Sequence, residues 1–309
     1  SYSVTGVQTC ALPIWKPGTD ADAGLWHYDG VDWTQVPNTN LLTGGIVSSP
    51  NNKKLYVFDD QGKLWEWDGK SFQELFWSGP GPAPRVSPLM EWDPRRDRLV
   101  LFSGRDAPDV ELWEWDGKAW HLRLEGSRIA GSGSGAMTYD SVRRRVIYHT
   151  GSGLNQGIAP SFLWEWDGMS WWATRPPVHP ASGVEDGGLC EPSLSFDPDR
   201  NRTLQFGGLG TRSSYGYFTE TWEWDGSRWH RHFPTRTPPS RYVASMGYDP
   251  IRKVTVLYGG WVGSGIRRDH WEWDGTDWTE RVLPQVPGFP GPMVWNARRG
   301  CLVLLNQEL

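Results

Sequence analysis

Carboxylates held between aromatic side chains are the residues in this sequence best suited to do chemistry. Five glutamates stand in the middle of a Trp-Glu-Trp triplet: Glu66, Glu114, Glu165, Glu223 and Glu272. Two facing carboxyls could act as the general acid and the nucleophile of a glycoside hydrolase. A carboxylate that recurs along the chain, however, serves something that every copy needs. We therefore interpret these glutamates as scaffold residues and assign no catalytic residue.

Recurring arginines offer these glutamates a partner. One arginine lies in each of five Asp-Pro-type turns: Arg96, Arg143, Arg200, Arg252 and Arg299. In a four-stranded antiparallel sheet, the turn between the first two strands and the turn between the last two lie at the same end. We expect partly buried Glu–Arg ion pairs there, with charge-assisted hydrogen bonds that hold the edges of each sheet.

The glutamates belong to a nine-residue phrase, typified by LWEWDGKAW at 112–120. Six copies place their first tryptophan at positions 26, 65, 113, 164, 222 and 271, in steps of 39, 48, 51, 58 and 49 residues. A repeat of this period is typical of solenoids, propellers and arrays. The triplet alternates as a strand does, and the following Asp-Gly favours a type I′ hairpin turn. Each copy is therefore predicted to be a β-hairpin.

A second phrase lies between the hairpins and is typified by WDPRRDRLVLF at 92–102. It predicts a strand, a tight turn and a second strand rich in aliphatic and aromatic residues. The two phrases together give four antiparallel strands, a to d, which form a propeller blade. The sequence predicts five complete blades, at about 42–76, 85–123, 133–174, 190–232 and 242–281.

The chain ends supply a sixth blade. Residues 24–36 offer only strands c and d, and residues 291–306 offer only strands a and b. We therefore predict an all-β fold, a propeller of six four-stranded antiparallel blades, with one blade closed by the N-terminal c–d and C-terminal a–b strands. If the gene was truncated near Trp15, a further blade could have preceded this residue. Seven blades in the parent protein are therefore the alternative.

The repeat resembles a known family. A second strand that ends in Gly-Gly, as at 206–208 and 258–260, followed by spaced aromatics, resembles the kelch repeat of galactose-oxidase-type propellers. The resemblance covers roughly residues 24–309 and implies the fold, not a function. Galactose oxidases use a copper site with a Cys–Tyr crosslink. Cys190 and Cys301 are not placed to repeat that crosslink, so we expect no metal and no cofactor.

The first residues fit no blade. Residues 1–14 resemble a translated sequencing adapter from a metagenomic assembly, and we treat 1–23 as an artefactual or disordered leader before a single domain at 24–309. On that interpretation the native start is missing, in a bacterial protein that we expect outside the cytoplasm, either periplasmic or secreted.

Composition narrows the partners. The 309 residues carry a net charge of −5, and no run of Lys or Arg could follow a nucleic-acid backbone. No stretch of 18 apolar residues predicts a transmembrane helix. We expect a monomer with no nucleic-acid partner and no transmembrane segment.

Binding residues are expected on the face formed by the b–c and d–a loops, because these loops differ from blade to blade. We call it the loop face. Its candidate ligand-binding residues are Trp77, Arg105, Asp106, Tyr215, Tyr217, Trp261, Arg267, Arg268 and Asp269. Exposed aromatics beside hydrogen-bonding groups suit a protein, a peptide or a glycan.

Three functions remain open from the sequence. The first is a non-enzymatic binding module that uses the loop face. The second is a carbohydrate-active enzyme that uses loop carboxylates, for which the candidates are Asp106, Asp109, Glu185, Asp186 and Asp269. The third is one truncated domain of a larger exported protein.

Overall fold

The structure is a computed structural model, and it describes residues 24–37, 39, 43–104, 110–124, 135–149, 163–174, 180, 189–210 and 216–306. These residues form strands and turns but no helix. The strands are, in chain order, β1 (Gly24–Tyr28), β2 (Trp33–Gln35), β3 (Gly44–Ser49), β4 (Lys54–Asp59), β5 (Leu64–Trp67), β6 (Phe72–Leu75), β7 (Leu89–Asp93), β8 (Arg98–Phe102), β9 (Leu112–Trp115), β10 (Trp120–Leu124), β11 (Ala136–Asp140), β12 (Arg145–His149), β13 (Leu163–Trp166), β14 (Trp171–Thr174), β15 (Leu189–Cys190), β16 (Ser193–Asp197), β17 (Arg202–Phe206), β18 (Leu209–Gly210), β19 (Thr221–Trp224), β20 (Trp229–His232), β21 (Ser245–Asp249), β22 (Val254–Val262), β23 (Gly265–Trp273), β24 (Trp278–Arg281), β25 (Met293–Asn296) and β26 (Cys301–Asn306).

The strands pair into six four-stranded antiparallel sheets, so the six-bladed propeller that the sequence predicts is confirmed. Blade 1 is β3–β6, blade 2 is β7–β10, blade 3 is β11–β14, blade 4 is β16, β17, β19 and β20, and blade 5 is β21–β24. Blade 6 has the order β2-β1-β26-β25, so its strands a and b come from the C-terminal part and c and d from the N-terminal part. The small pair β15–β18 lies beside blade 4 in the chain.

The first strands of neighbouring blades contact one another in a closed ring, which runs β25, β3, β7, β11, β16, β21 and back to β25. Each blade thus has strand a as its inner edge at the centre of the ring and strand d as its outer edge. The hydrophobic core consists of six clusters, each of which lies between two adjacent blades. The tryptophans of the repeats fill these clusters, which is why the chain needs so many of them.

The hairpin between strands c and d is present in every blade, but the predicted type I′ turn is wrong. In blade 1 the strands end at Trp67 and resume at Phe72, which leaves a four-residue loop. Only Gly69 has a positive φ, of 100°. Asp68 keeps a negative φ because its carboxylate accepts the backbone N–H groups of Lys70 and Ser71. The aspartate therefore closes the turn through its side chain.

The turns between strands a and b also share one backbone feature. The last residue of this turn adopts a left-handed conformation in all six blades: Lys53, Asp97, Arg144, Asn201, Lys253 and Gly300. Five of these are not glycine, and asparagine, aspartate and lysine tolerate this conformation at modest cost in an exposed turn.

Candidate functional site

The repeated glutamates lie beside the repeated arginines in four blades. The shortest Arg–Glu distances are 2.6 Å for Arg96–Glu114, 2.5 Å for Arg143–Glu165 and 2.6 Å for Arg200–Glu223, and Arg252 forms the same pair with Glu272. In each case the arginine Nε also binds the aspartate that begins the turn, such as Asp197 at 2.7 Å from Arg200. These contacts fix the arginine in one orientation.

The same glutamates also reach the next blade, which the sequence did not predict. The indole Nε1 of Trp166 donates to Glu114 at 3.1 Å, and that of Trp273 donates to Glu223 at 2.9 Å. Tyr28 takes this place in blade 6 and donates to Glu272 at 3.1 Å. Glu114, Glu223 and Glu272 therefore join neighbouring blades as well as the two turns at one end of a blade, whereas the Trp224 indole forms no such bond to Glu165.

The other two blades depart from the pattern. In blade 1, Glu66 pairs with Lys54 at 2.6 Å, because this turn has no arginine. In blade 6, His27 replaces the glutamate, and its Nδ1 lies 3.1 Å from Arg299 Nη1. Burial and the charge of Arg299 lower the pKa of His27 to about 4, so its neutral ring can accept this hydrogen bond.

Two predicted aromatic residues of the loop face, Tyr217 and Trp261, each contact a third, Tyr242, the first through its ring and the second through its backbone. The rings of Tyr217 and Tyr242 stack with centroids 5.6 Å apart and planes 11° apart. The backbones of Tyr242 and Trp261 exchange two hydrogen bonds, of 3.1 and 2.8 Å. All three side chains are half-buried, and we call them the aromatic cluster.

A long hairpin supports the aromatic cluster. β22 and β23 have nine residues each and extend beyond the four-residue strand β24, so their tip projects on the loop face. A Cβ at Gly263 in this tip would lie 2.9 Å from the Tyr217 hydroxyl, so a larger residue there would displace that hydroxyl. The indole Nε1 of Trp261 is buried and has no hydrogen-bond partner among the described residues.

The charged candidates of this hairpin have structural partners. Asp269 accepts both Nη atoms of the buried Arg241, at 2.7 and 2.6 Å, and the Trp271 indole at 2.8 Å. Burial would raise the pKa of Asp269, but the hydrogen bonds and charge of Arg241 outweigh it and hold this pKa below its usual range. Arg267 donates to the Ser240 carbonyl at 3.3 Å, and Arg268 donates to the Gly288 carbonyl at 2.9 Å.

The structure places Trp77 elsewhere. Its ring packs edge-on against Trp115 and Trp120, with centroids 6.0 and 6.2 Å away, in the cluster between blades 1 and 2. Arg105, Asp106 and Tyr215 lie outside the described residues, as do Asp109, Glu185 and Asp186. Of the nine binding candidates, the structure thus brings together Tyr217 and Trp261, beside a hairpin that also carries Arg267, Arg268 and Asp269.

A central channel of about 500 Å³ opens between the six a strands. Val243, the neighbour of Tyr242 in the chain, lines its rim on the loop face. Val243 has a φ of 52°, a costly conformation for a β-branched residue. Ser87 and Glu191, at the equivalent points of blades 2 and 4, have φ values of 49° and 50°. The aromatic cluster therefore adjoins the rim of the channel.

Among the residues whose placement the structure describes, no group of three His, Cys, Asp or Glu side chains could hold a metal ion. In the same part of the chain, no helix is long and apolar enough to cross a membrane.

Similarity to known proteins is found at the level of the fold and not at the level of the sequence. No protein-family model and no curated protein matches the sequence. Among solved structures, the chain is similar to the one titled "Structure of YjhT", with a TM-score of 0.61 and 13% sequence identity over 87% of this chain and 95% of that chain. At that identity the likeness establishes a propeller fold, whose chemistry must be argued from its own residues.

Proposed function

We propose that this propeller is a non-enzymatic binding module that holds a protein, peptide or glycan ligand on its loop face. The observation that carries the proposal is the aromatic cluster of Tyr217, Tyr242 and Trp261 at the rim of the central channel. Half-buried aromatic side chains supply contact area at a small entropic cost, because two torsions fix each ring. A rigid scaffold that carries such residues on its loops is a common design for recognition.

Hydrogen-bonding groups beside the aromatic rings add direction to this surface. The tyrosine side chains of the cluster carry hydroxyl groups that can donate and accept hydrogen bonds. A ligand that stacks on the rings and forms hydrogen bonds with these hydroxyls would use both properties together.

We also propose that the repeat is of the kelch type. The Gly-Gly pairs at the end of strand b support this, since their φ values are 66° and 114° at Gly207 and Gly208, and 65° and 110° at Gly259 and Gly260. A Cβ at Gly207 would lie 2.4 Å from the carbonyl oxygen of Arg241. The pair therefore serves a close backbone approach as well as an unusual conformation.

The enzyme alternative gains no support from the one carboxylate candidate that can be placed. Both carboxylate oxygens of Asp269 already accept hydrogen bonds from Arg241, and the Trp271 indole donates to the same group. A general acid of a glycosidase needs a raised pKa, whereas the pKa of Asp269 is lowered. Asp269 therefore fits a structural role.

The proposal is tested by screening the protein against a glycan array and a displayed peptide library. The wild-type chain is compared with Trp261→Ala and with Phe233→Ala, a matched control that removes an aromatic ring which is 81% exposed and lies at the opposite end of the d–a loop from Tyr242. We expect ligands that bind the wild type and Phe233→Ala equally and that Trp261→Ala loses. Equal binding by all three folded proteins, or no ligand in either screen, would refute the proposal.

A further inference from the structure

The central channel contains one feature that the repeat does not explain, namely the side chain of Glu91. Glu91 stands in the middle of β7, paired with Val100 of β8. The residues at the same register in the other five a strands are neutral: Val47, Thr138, Ser195, Gly247 and Val294. A residue that only one blade carries does not serve the common scaffold.

The walls around Glu91 are largely apolar. The position before it in strand a is a methionine in four blades, at Met90, Met137, Met246 and Met293, and these side chains line the channel. Leu194 and Ile46 hold the same position in the remaining two blades. Thioethers and aliphatic side chains adapt to the shape of a ligand and make favourable contacts with aromatic rings.

The described residues that line the channel include acidic side chains but no basic ones. Its described lining contains two carboxyls, Glu91 and Glu191, and two tyrosines, Tyr139 and Tyr248, but no Lys, Arg or His. Tyr139 donates to Asp93 at 3.1 Å, and Tyr248 donates to Asp199 at 2.5 Å, so both phenols point toward carboxylates. A cavity with carboxyls and no basic group attracts cations.

Glu91 lacks a compensating cation. Among the described residues, no salt bridge involves it, and the only hydrogen bond to its carboxyl comes from the backbone of Trp92. The surrounding protein desolvates the carboxyl and raises its pKa from 4.5 to about 8. A carboxyl that is held neutral in an apolar cavity is a common property of binding and catalytic sites.

We propose that the central channel is a binding site for a small organic amine, whose ammonium group pairs with Glu91 and whose apolar body packs against the methionine-lined wall. The cavity of about 500 Å³ lies in the range of sites for small ligands. Because the ionisable groups that line the cavity are acidic and none is basic among the described residues, the site favours a cation over a neutral or anionic molecule of the same shape. The site is distinct from the loop-face site proposed above, so either can fail without the other.

Binding must displace a proton. At pH 7 the Glu91 carboxyl is mostly neutral, and pairing with an ammonium group requires its carboxylate form. The proton leaves the carboxyl for the solvent while the amine keeps its own. Because the pKa of the carboxyl is about 8, most of one proton is released for each amine bound at pH 7, and the release falls as the pH rises above 8. The other titratable groups facing the channel are Glu191, Tyr139 and Tyr248.

The test uses benzylamine as the probe, with benzyl alcohol and benzoate as a neutral and an anionic analogue. Isothermal titration of the whole chain in phosphate and in HEPES, whose ionisation enthalpies differ, gives the affinity and the number of protons released. We expect benzylamine to bind more tightly than either analogue, and its affinity to increase from pH 6 to pH 9. The proton release at pH 7 should be close to one.

Two variants complete the test. Glu91→Gln keeps the shape of the side chain and should weaken benzylamine binding by roughly tenfold or more while abolishing proton release. Glu280→Gln removes an exposed carboxylate of β24 and should change neither quantity. Equal affinity for benzyl alcohol, binding without proton release, unchanged binding by Glu91→Gln, or no binding by the folded wild type up to the solubility of the probe would each overturn the proposal.

Discussion

Glu223 of blade 4 accepts a hydrogen bond of 2.9 Å from the indole of Trp273 in blade 5. The same carboxylate pairs with Arg200 in its own blade, at 2.6 Å. One side chain thus links the a–b turn, the c strand and the neighbouring blade. Glu223 is therefore an inter-blade joint, and Glu114 forms the same joint with Trp166, the second tryptophan of the next blade's triplet.

Removal of this joint should destabilise the protein strongly. Glu223→Ala leaves the buried indole of Trp273 without its acceptor and Arg200 with Asp197 alone, and we expect a loss of about 3 kcal/mol in the free energy of unfolding. Glu66→Ala is the matched control, because Glu66 pairs with a lysine whose side chain is 37% exposed. It should cost less than about 1 kcal/mol. Urea denaturation measures both, and equal losses would contradict the joint.

Acid should weaken the same joint. Burial raises the pKa of Glu223, but the His232 ring 3.0 Å away and the charge of Arg200 outweigh burial, and the pKa falls from 4.5 to about 2. A lowered pKa stabilises the fold above pH 4.5, and this stabilisation is lost as the pH falls toward 2. Its size is roughly 3 kcal/mol.

The comparison with Glu223→Gln isolates this effect. The variant should have a lower Tm than the wild type at pH 7, and the two Tm values should converge as the pH approaches 2. Thermal denaturation followed by circular dichroism between pH 7 and pH 2.5 measures the difference. A constant difference across that range would show that the charge of Glu223 does not stabilise the fold.

Glycines of the c–d turns should differ in their tolerance of alanine. Gly275 and Gly117 share the turn and a similar φ, of 100° and 95°. A Cβ at Gly275 would lie 2.5 Å from Arg200 of the preceding blade, whereas a Cβ at Gly117 meets nothing within 4 Å. Since Asp197 and Glu223 hold Arg200 in place, it cannot move aside freely.

Both alanine variants therefore carry the cost of a left-handed conformation, about 1 kcal/mol. Gly275→Ala should cost a further 1–3 kcal/mol, roughly, because of the clash. Urea denaturation of the two variants gives the difference directly. A smaller loss for Gly275→Ala than for Gly117→Ala would contradict the packing of Arg200 on that turn.

The Glu91 carboxyl should make the protein less stable in alkaline solution. Burial raises its pKa from 4.5 to about 8, so the fold favours the neutral form. This stabilisation is complete below pH 4.5 and is lost as the pH rises through 8. Glu91→Gln should therefore melt several degrees above the wild type at pH 9 and at the same temperature at pH 4.5. Parallel melting curves across this range would contradict the burial of a neutral Glu91.

The blades could be predicted from the sequence because the signals that specify them are local. Alternating aromatic residues indicate the strands, and the Asp-Gly and Asp-Pro pairs indicate the turns of each hairpin. The same signals recur in six copies. The pairing of Arg200 with Glu223 followed from the strand order alone, since both turns of a blade lie at one end. The type I′ turn was wrong because the carboxylate of Asp68 provides the hydrogen bonds that fix a longer loop.

Contacts between blades were not predictable in this way. The bond from Trp273 to Glu223 depends on how two separate sheets pack, and no local pattern encodes it. Tyr242 was overlooked because it lies in a d–a loop between Arg241 and a valine, with nothing in the sequence to place it beside Tyr217. Glu91 gave one usable signal, as the only charged residue at its position in six aligned strands, but only the closed ring shows that this position faces a channel.

The loop face is tested most directly by the affinity of one ligand for two variants. The ligand is the tightest binder found by the array or the peptide library, and its Kd is measured for the wild type, for Tyr217→Ala and for Phe233→Ala. Loss of a stacked ring should raise the Kd by roughly tenfold or more in Tyr217→Ala, because such rings contribute most of the energy at binding surfaces. Phe233→Ala should bind as the wild type does. An unchanged Kd in folded Tyr217→Ala would contradict a binding site at the aromatic cluster.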